Sequence, residues 1–276
     1  MTTPVRRRSL RARILAYITD ATSRLQAAWR ILTAAQTALL NALAAIRSGR
    51  RTGNAAAIRR ITAAFQRSLT AFDRAAAAFV ERWATSDLPL IYREGAWTML
   101  DQADRPPDRF SWTQRHQDAI TTASAQYYAD LTRRIQEALR RARAFLRAAQ
   151  ATARSAELDV EALRRDHPLD TVIYGTSTRY PADAWAHAAI SWQAVTTANT
   201  GAARTALDEL GCEWLEVRDG SECGWLKHND PDEANRTLRT VQDALAHPSA
   251  HPHCQREFLP RLDLTGRTEI RSGALL

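Results

Sequence analysis

From Arg13 to Arg47 the chain has no glycine and no proline, and its apolar residues fall on two interleaved seven-residue series. One is Ile14, Ala21, Ala28 and Ala35; the other is Ile18, Leu25, Leu32, Leu39 and Ile46. Only helical winding lines up residues seven apart, so the pattern predicts a long helix with a coiled-coil-like seam. Alanine at one seam position lets a neighbouring helix come close. The glycines of Ser48-Gly49-Arg50-Arg51-Thr52-Gly53-Asn54 then break the pattern. A second stripe, Ile58, Ile61, Phe65, Leu69, Phe72, Ala76, Phe79 and Trp83, predicts a helix from about Ala55 to Thr85. Two matched stripes joined by a short polar loop read as an antiparallel helical hairpin whose stripes are core.

Further on, Asp87-Leu88-Pro89 reads as a turn or helix start, before a short helix through Ile91, Ala96 and Leu100. Asp104-Arg105-Pro106-Pro107-Asp108 reads as a loop. A third long helix is expected from Trp112 to about Arg165, along Ile120, Ala123, Tyr127, Leu131, Ile135, Ala138, Ala142 and Phe145. Unbroken, it would be about 80 Å long, which suits an extended strut or a bundle shared with partners. The N-terminal half is therefore expected to be elongated.

Asp166-His167-Pro168-Leu169-Asp170 ends that helix and marks a domain boundary. Val172-Ile173-Tyr174-Gly175 reads as a strand and turn, Pro181 opens a helix from 182 to 210, and Gly211 stops it. Trp214-Leu215-Glu216-Val217 alternates as a strand, Asp219-Gly220 signals a turn, and Cys223-Gly224-Trp225-Leu226 is the expected return strand. A loop or short helix starts at Asp230-Pro231-Asp232, and Thr240 to Leu245 reads as helical. The expected fold is mainly α: long extended N-terminal helices and a small α+β C-terminal domain with a β-hairpin. The expected segments are a basic arm (1–11), an extended helical domain (12–165), an α+β domain (166–264) and a polar tail (265–276).

Apolar content of 45% and charged content of 25% are those of a folded chain. Three cysteines suggest no disulfide framework and fit a reducing cytosol. No run of 18 apolar residues occurs, so no membrane span is expected. The start MTTPVRRRSLRARIL lacks an apolar core and is not read as a signal peptide.

The net charge of +8 is unevenly spread. Residues 1–165 hold 28 arginines and 14 acids, while residues 166–276 hold 10 basic residues and 16 acids. A basic helical half suits DNA or an acidic protein surface, and a solvated helix face accounts for it equally well. Candidate nucleic-acid contacts are Arg6, Arg7, Arg8, Arg11, Arg13, Arg50, Arg51, Arg59 and Arg60. Outward positions of the first two helices also carry Arg24, Arg30, Arg47, Arg67 and Arg74. Nonspecific DNA binding that weakens steeply with salt is expected of residues 1–165.

The unusual chemistry lies between Gly211 and Pro260. All three cysteines are here, with His228, His247, His251 and His253. Cys223-x4-His228 and His251-x2-Cys254 pair two thiols with two imidazoles, a set that can surround one tetrahedral Zn²⁺. Free buried cysteines among surface histidines are the other reading, and a Cys223–Cys254 disulfide is a third. Cys212 reads as a packing residue. A cysteine-protease reading would use Cys223 or Cys254 with a nearby histidine. Asp230 and Asp232 could hold Ca²⁺ or Mg²⁺, while Asp219 and Glu222 read as turn residues. No Gly-rich phosphate loop, nucleophile elbow or H-E-x-x-H helix is present.

The same stretch carries a resemblance. Asp219, Gly220, Cys223, Gly224, Trp225, His228, Asp230, Pro231 and Asp232 form one motif. His251, Pro252, Cys254, Arg256, Phe258, Pro260 and Arg261 form a second. Together they resemble the C-terminal domain of the phage head morphogenesis, or Mu F-like, minor capsid proteins, in the form found in phages of actinobacteria. The resemblance is clearest over residues 171–264. The family often has C-x-x-C and H-x-x-C-R-C; here Leu226 and Arg256 stand where two of those cysteines would be. A central helical asparagine is typical of the family, and Asn199 matches it, with an implied role in capping backbone of the following hairpin.

The resemblance implies a structural, portal-associated minor capsid protein that is present in few copies, with some members binding DNA without sequence preference. Implied partners are the portal and other head proteins and nonspecific DNA, with self-association through the helical seams. The implied location is the virion head near the portal vertex, and the host cytoplasm during assembly. Two alternatives stand beside it: a capsid maturation protease, and a plain nonspecific DNA-binding helical protein.

Overall fold

Every residue of the two heptad series from Ile14 to Leu39 is buried, and Ile46 is half-buried. They line one side of α1 (Leu10–Arg47). The computed structural model describes residues 9–47, 54–154, 159–174, 178–220 and 234–267. On α2 (Asn54–Arg82) the expected stripe from Phe65 to Phe79 is buried, with Ile58 and Ile61 half-buried.

The chain does not turn at Asp87-Leu88-Pro89. It passes through one widened π-turn, Trp83–Asp87, into α3 (Leu88–Gln102). The Leu88 N–H donates to the Trp83 carbonyl, five residues back. Proline lacks an N–H and clashes with the carbonyl four residues earlier. A widened turn relieves that clash and lets the helix continue through Pro89. Trp83 is fully buried, and its indole N–H donates to Gln193 at 2.8 Å.

The third long helix is shorter than expected. α4 runs Gln114–Thr152, and α5 (Val160–Asp166) is a separate helix. Asp159 has extended backbone, and its carboxylate accepts the Ala162 N–H at 2.9 Å. That is an N-cap, so a new helix starts where one continuous helix was expected.

After α5, β1 (Thr171–Tyr174) pairs antiparallel with β2 (Thr178–Pro181). Next comes α6 (Ala182–Asp208), ending before Gly211, which has φ +59. The Cys212 N–H reaches back to the Ala206 carbonyl at 2.8 Å, a closure that needs the left-handed glycine. β3 (Trp214–Arg218) is the centre of a three-stranded antiparallel sheet ordered β4-β3-β5. β4 is Leu238–Thr240, α7 is Val241–Ala246 and β5 is Glu257–Pro260.

The expected partner of Trp214–Val217 was residues 223–226, which lie outside the described residues. Both edges of β3 are already taken: Leu215 pairs with Arg239 on one side and Pro260 on the other. The hairpin partner of β3 is therefore β4. Strand alternation places Leu215 and Val217 in a core with Met99, Ala202, Ala206, Val241 and Phe258. Trp214 faces the other way, against Leu238 and Leu264.

The chain divides into two units, each discontinuous in sequence. One holds residues 1–21, 82–127 and 187–276, and the other holds 22–81 and 128–186. In the second unit, Trp29 of α1 packs on Phe72 of α2 at 5.3 Å and on Trp185 at 5.4 Å between ring centroids. Phe65 of α2 packs on Phe145 of α4 at 5.3 Å. Two α4 arginines hold β1: Arg134 donates to the Ile173 carbonyl, and Arg141 to the Thr171 carbonyl, both at 2.7 Å. Among the described residues no helix is long and apolar enough to cross a membrane.

In the first unit, His116 and Tyr92 form a buried pair, with the phenol oxygen 2.8 Å from His116 Nδ1. Phe110 packs against the imidazole. Burial raises the Tyr92 pKa, so the phenol keeps its proton and donates to Nδ1. Burial also pushes the His116 pKa down, with Asp208 opposing and Arg204 adding to the shift. The folded state thus prefers neutral His116. Its contribution to stability is complete above the unfolded histidine pKa of about 6.5 and falls as pH drops below it. Urea midpoints measured between pH 7.5 and 5.5 should decline. In His116→Gln the decline should shrink to what other histidines give, among them His253, which burial and His187 also push down. An unchanged pH profile in that variant would rule out the effect.

Candidate functional site

Asp219 follows directly on β3, at the turn expected there, and its side chain is buried. It is 1% exposed, and its two oxygens accept the Nε and Nη2 of Arg256, each at 2.7 Å. Arg256 is itself 2% exposed and spends a third donor, Nη1, on the His247 carbonyl at 2.8 Å. A buried carboxylate is costly unless paired and hydrogen-bonded, and this fork-to-fork contact supplies both. Gly220 has φ +82, which turns the chain immediately after the carboxylate.

Asn199 enters from the middle of α6. It is fully buried, and its amide donates to the Pro248 carbonyl at 2.8 Å and the Arg256 carbonyl at 2.9 Å. The implied capping role thus falls on the loop leading into β5. Phe258, two residues after Arg256, is buried in the core shared with Leu215 and Val217. Two motif residues, Asp219 and Arg256, and the helical asparagine Asn199 are therefore joined by hydrogen bonds, with Phe258 in the adjoining apolar core. Asn199, Asp219 and Arg256 tie α6, the end of β3 and the 247–256 loop together.

Cys254 is buried, and its thiol points at Asp219 Oδ1 at 4.0 Å. Its N–H donates to the His251 carbonyl at 3.0 Å, while His251 Nδ1 accepts the His253 N–H at 3.3 Å. The other half of the expected zinc set, Cys223 and His228, lies outside the described residues, as do Gly224, Trp225, Asp230, Pro231 and Asp232. Among the described residues no group of three or more His, Cys, Asp and Glu side chains could hold a metal ion. Pro252 is exposed in the turn between His251 and Cys254. Cys212 is fully buried, its thiol donates to the Trp214 carbonyl at 3.0 Å, and burial pushes its pKa up. That is an inert packing thiol.

No family model, curated protein or solved structure matches this chain.

The arginines named as nucleic-acid contacts differ in their surroundings. Arg6, Arg7, Arg8, Arg50 and Arg51 lie outside the described residues. Arg13 is spent inside the first unit, 3.0 Å from Asp101 and 3.9 Å from Glu94. Arg11 is half-buried, and burial lowers its pKa. Arg59 and Arg60 stand exposed on α2. The charge also follows the units: the second holds 19 arginines and 10 acids, a net of +9, against −1 for the first.

Sequence reasoning missed the Asp219–Arg256 pair and the Tyr92–His116 pair. Both join residues far apart in sequence, so no spacing rule announces them. The available signal for the first was an arginine in a motif position where the resembled family has a cysteine.

Proposed function

We propose that this chain is a structural minor capsid protein of a phage head, assembled near the portal vertex and in nonspecific contact with DNA. The observation that carries this reading is the buried junction of Asn199, Asp219 and Arg256, with Phe258 in the adjoining core. These are motif residues of the resembled family, and all four do architectural work. Both Asp219 oxygens are bound to one guanidinium, which gives the carboxylate a structural task. The +9 charge of the second unit supports contact with a polyanion. The partners of this reading are the portal and other head proteins, and the location is the virion, by way of the host cytoplasm.

The test is assembly of heads with an epitope-tagged chain, followed by mass spectrometry and labelled electron microscopy of purified particles. A few copies per particle, clustered at one vertex, are expected. Particles that form normally and contain none of the chain would reject the reading. Loss of capsid-protein cleavage on replacing Cys223 and Cys254, with assembly intact, would favour the protease instead.

A further inference from the structure

The arginines of α2 form a row. Arg60, Arg67 and Arg74 are seven residues apart, and all three are exposed. At about 100° per residue they lie within about 40° of one another, on the side opposite Phe65 and Phe72. Their span is about 21 Å. The outer surface around them is small or polar: Ala64, Thr70 and Ala71 lie between them and Ala77 and Ala78 just beyond, all exposed. None of the three guanidiniums has an ion-pair partner among the described residues. The acids of α2 are Asp73, half-buried on its flank, and Glu81 in its last turn.

α4 provides the contrast. Its outer side also carries arginines seven apart, Arg133, Arg140 and Arg147. The first two are paired within the helix, Arg133 with Asp130 and Arg140 with Glu137. Arg134 and Arg141 are turned onto β1 carbonyls. The two helices thus use arginine differently: α4 pairs Arg133 and Arg140 with its own acids, turns Arg134 and Arg141 onto β1, and leaves Arg143 and Arg147 exposed, while α2 leaves a regular row of three uncompensated.

We infer that the outer face of α2, through Arg60, Arg67 and Arg74, is the surface that lies along the phosphate backbone of double-stranded DNA, an assignment that rests on the DNA contact proposed above. Two observations favour a nucleic acid over an acidic protein. Protein interfaces are anchored by large apolar or aromatic side chains. Among the described residues the exposed large apolar side chains are Leu15, Trp112, Tyr128, Tyr180, Trp192 and Leu262, and none of these is on α2. Contact through charge alone is what sequence-independent phosphate binding requires. A row of about 21 Å also runs along about six base pairs of duplex, so successive guanidiniums are about three steps apart. The alanines between them let the backbone come close.

The test is fluorescence anisotropy of a labelled duplex with the full chain, from 50 to 200 mM KCl. It compares the wild type, R60Q/R67Q/R74Q and R133Q/R140Q. Glutamine keeps helix propensity, and circular dichroism checks the fold. The α2 variant should bind at least about tenfold more weakly at 50 mM, with the slope of log K against log salt reduced by about three. The α4 variant should change far less. An α2 variant that binds like wild type overturns the assignment. So does binding lost on removing the first eight residues but kept in the α2 variant. Polyglutamate bound as tightly as duplex would make the face a docking site for an acidic protein and equally overturn it. A wild-type chain that binds no duplex even at 50 mM rejects the underlying DNA contact, which is a different outcome from a failed assignment.

Discussion

Arg256→Met is expected to destabilise the chain by about 3–5 kcal/mol, because it leaves Asp219 charged, buried and without its partner. A domain is held by only about 5–15 kcal/mol, so the variant should be largely unfolded in mild urea. The loss exceeds that of an ordinary ion pair for a stated reason. Exposed pairs contribute about 0–1 kcal/mol, since water and salt already solvate both charges. Here the side chains are 0% and 1% exposed, so neither charge has water to fall back on. Arg256 also serves the His247 carbonyl, which loses its donor at the same time. Asp219→Leu with Arg256→Met should recover much of the loss, because the isolated charge has gone and apolar groups fill the space. Urea unfolding of the two single variants and the double variant gives the coupling energy. A coupling near zero, or an Arg256→Met cost under about 1 kcal/mol, would mean that the pair is solvated and does not close this unit.

What could be read from the sequence follows from the range over which each signal acts. The α1 and α2 stripes were legible because each is a local periodicity: residues such as Ile18, Leu25 and Leu32 share one line whatever packs on it. The ends of elements were less legible. Pro89 looks like a start, yet a single widened turn carries the helix through it. Thr152 and Asp159 sit inside an alanine- and arginine-rich run whose composition favours helix throughout, and only the cap on Asp159 marks the restart. Pairing of strands was the hardest to read. Asp219-Gly220 is a local turn signal and Gly220 does turn the chain, but β3 takes its neighbours from residues 238–240 and 257–260. Cross-chain choice of partner depends on burial and on both edges of β3, neither of which is a property of one segment.

The close crossing of α3 and α6 had no sequence signature at all, and it supports the other large prediction. Gly95 and Gly201 each lie inside a helix, where glycine costs about 1 kcal/mol relative to alanine. On propensity alone, Gly95→Ala should stabilise the chain. The packing argues the reverse. A Cβ on Gly95 would come within 3.0 Å of the Ala198 carbonyl oxygen, and one on Gly201 would do the same to the Tyr92 carbonyl oxygen. Both obstacles are backbone, so no side-chain rotation relieves them. The two clashes are reciprocal: residue 95 meets 198 and residue 92 meets 201, as expected of antiparallel helices in backbone contact. Asn199 and Tyr92 sit at the same crossing. Separating the helices would therefore disturb both the Asn199 bonds to the 247–256 loop and the Tyr92–His116 pair. Overpacking usually costs about 1–3 kcal/mol, and an immovable backbone puts this case at about 3 kcal/mol or more. Gly95→Ala should therefore lower the melting temperature by many degrees, and Gly95→Ala with Gly201→Ala should fail to fold cooperatively. A Gly95→Ala variant that melts at or above the wild-type temperature would show that helix propensity wins and that α3 and α6 are not in backbone contact.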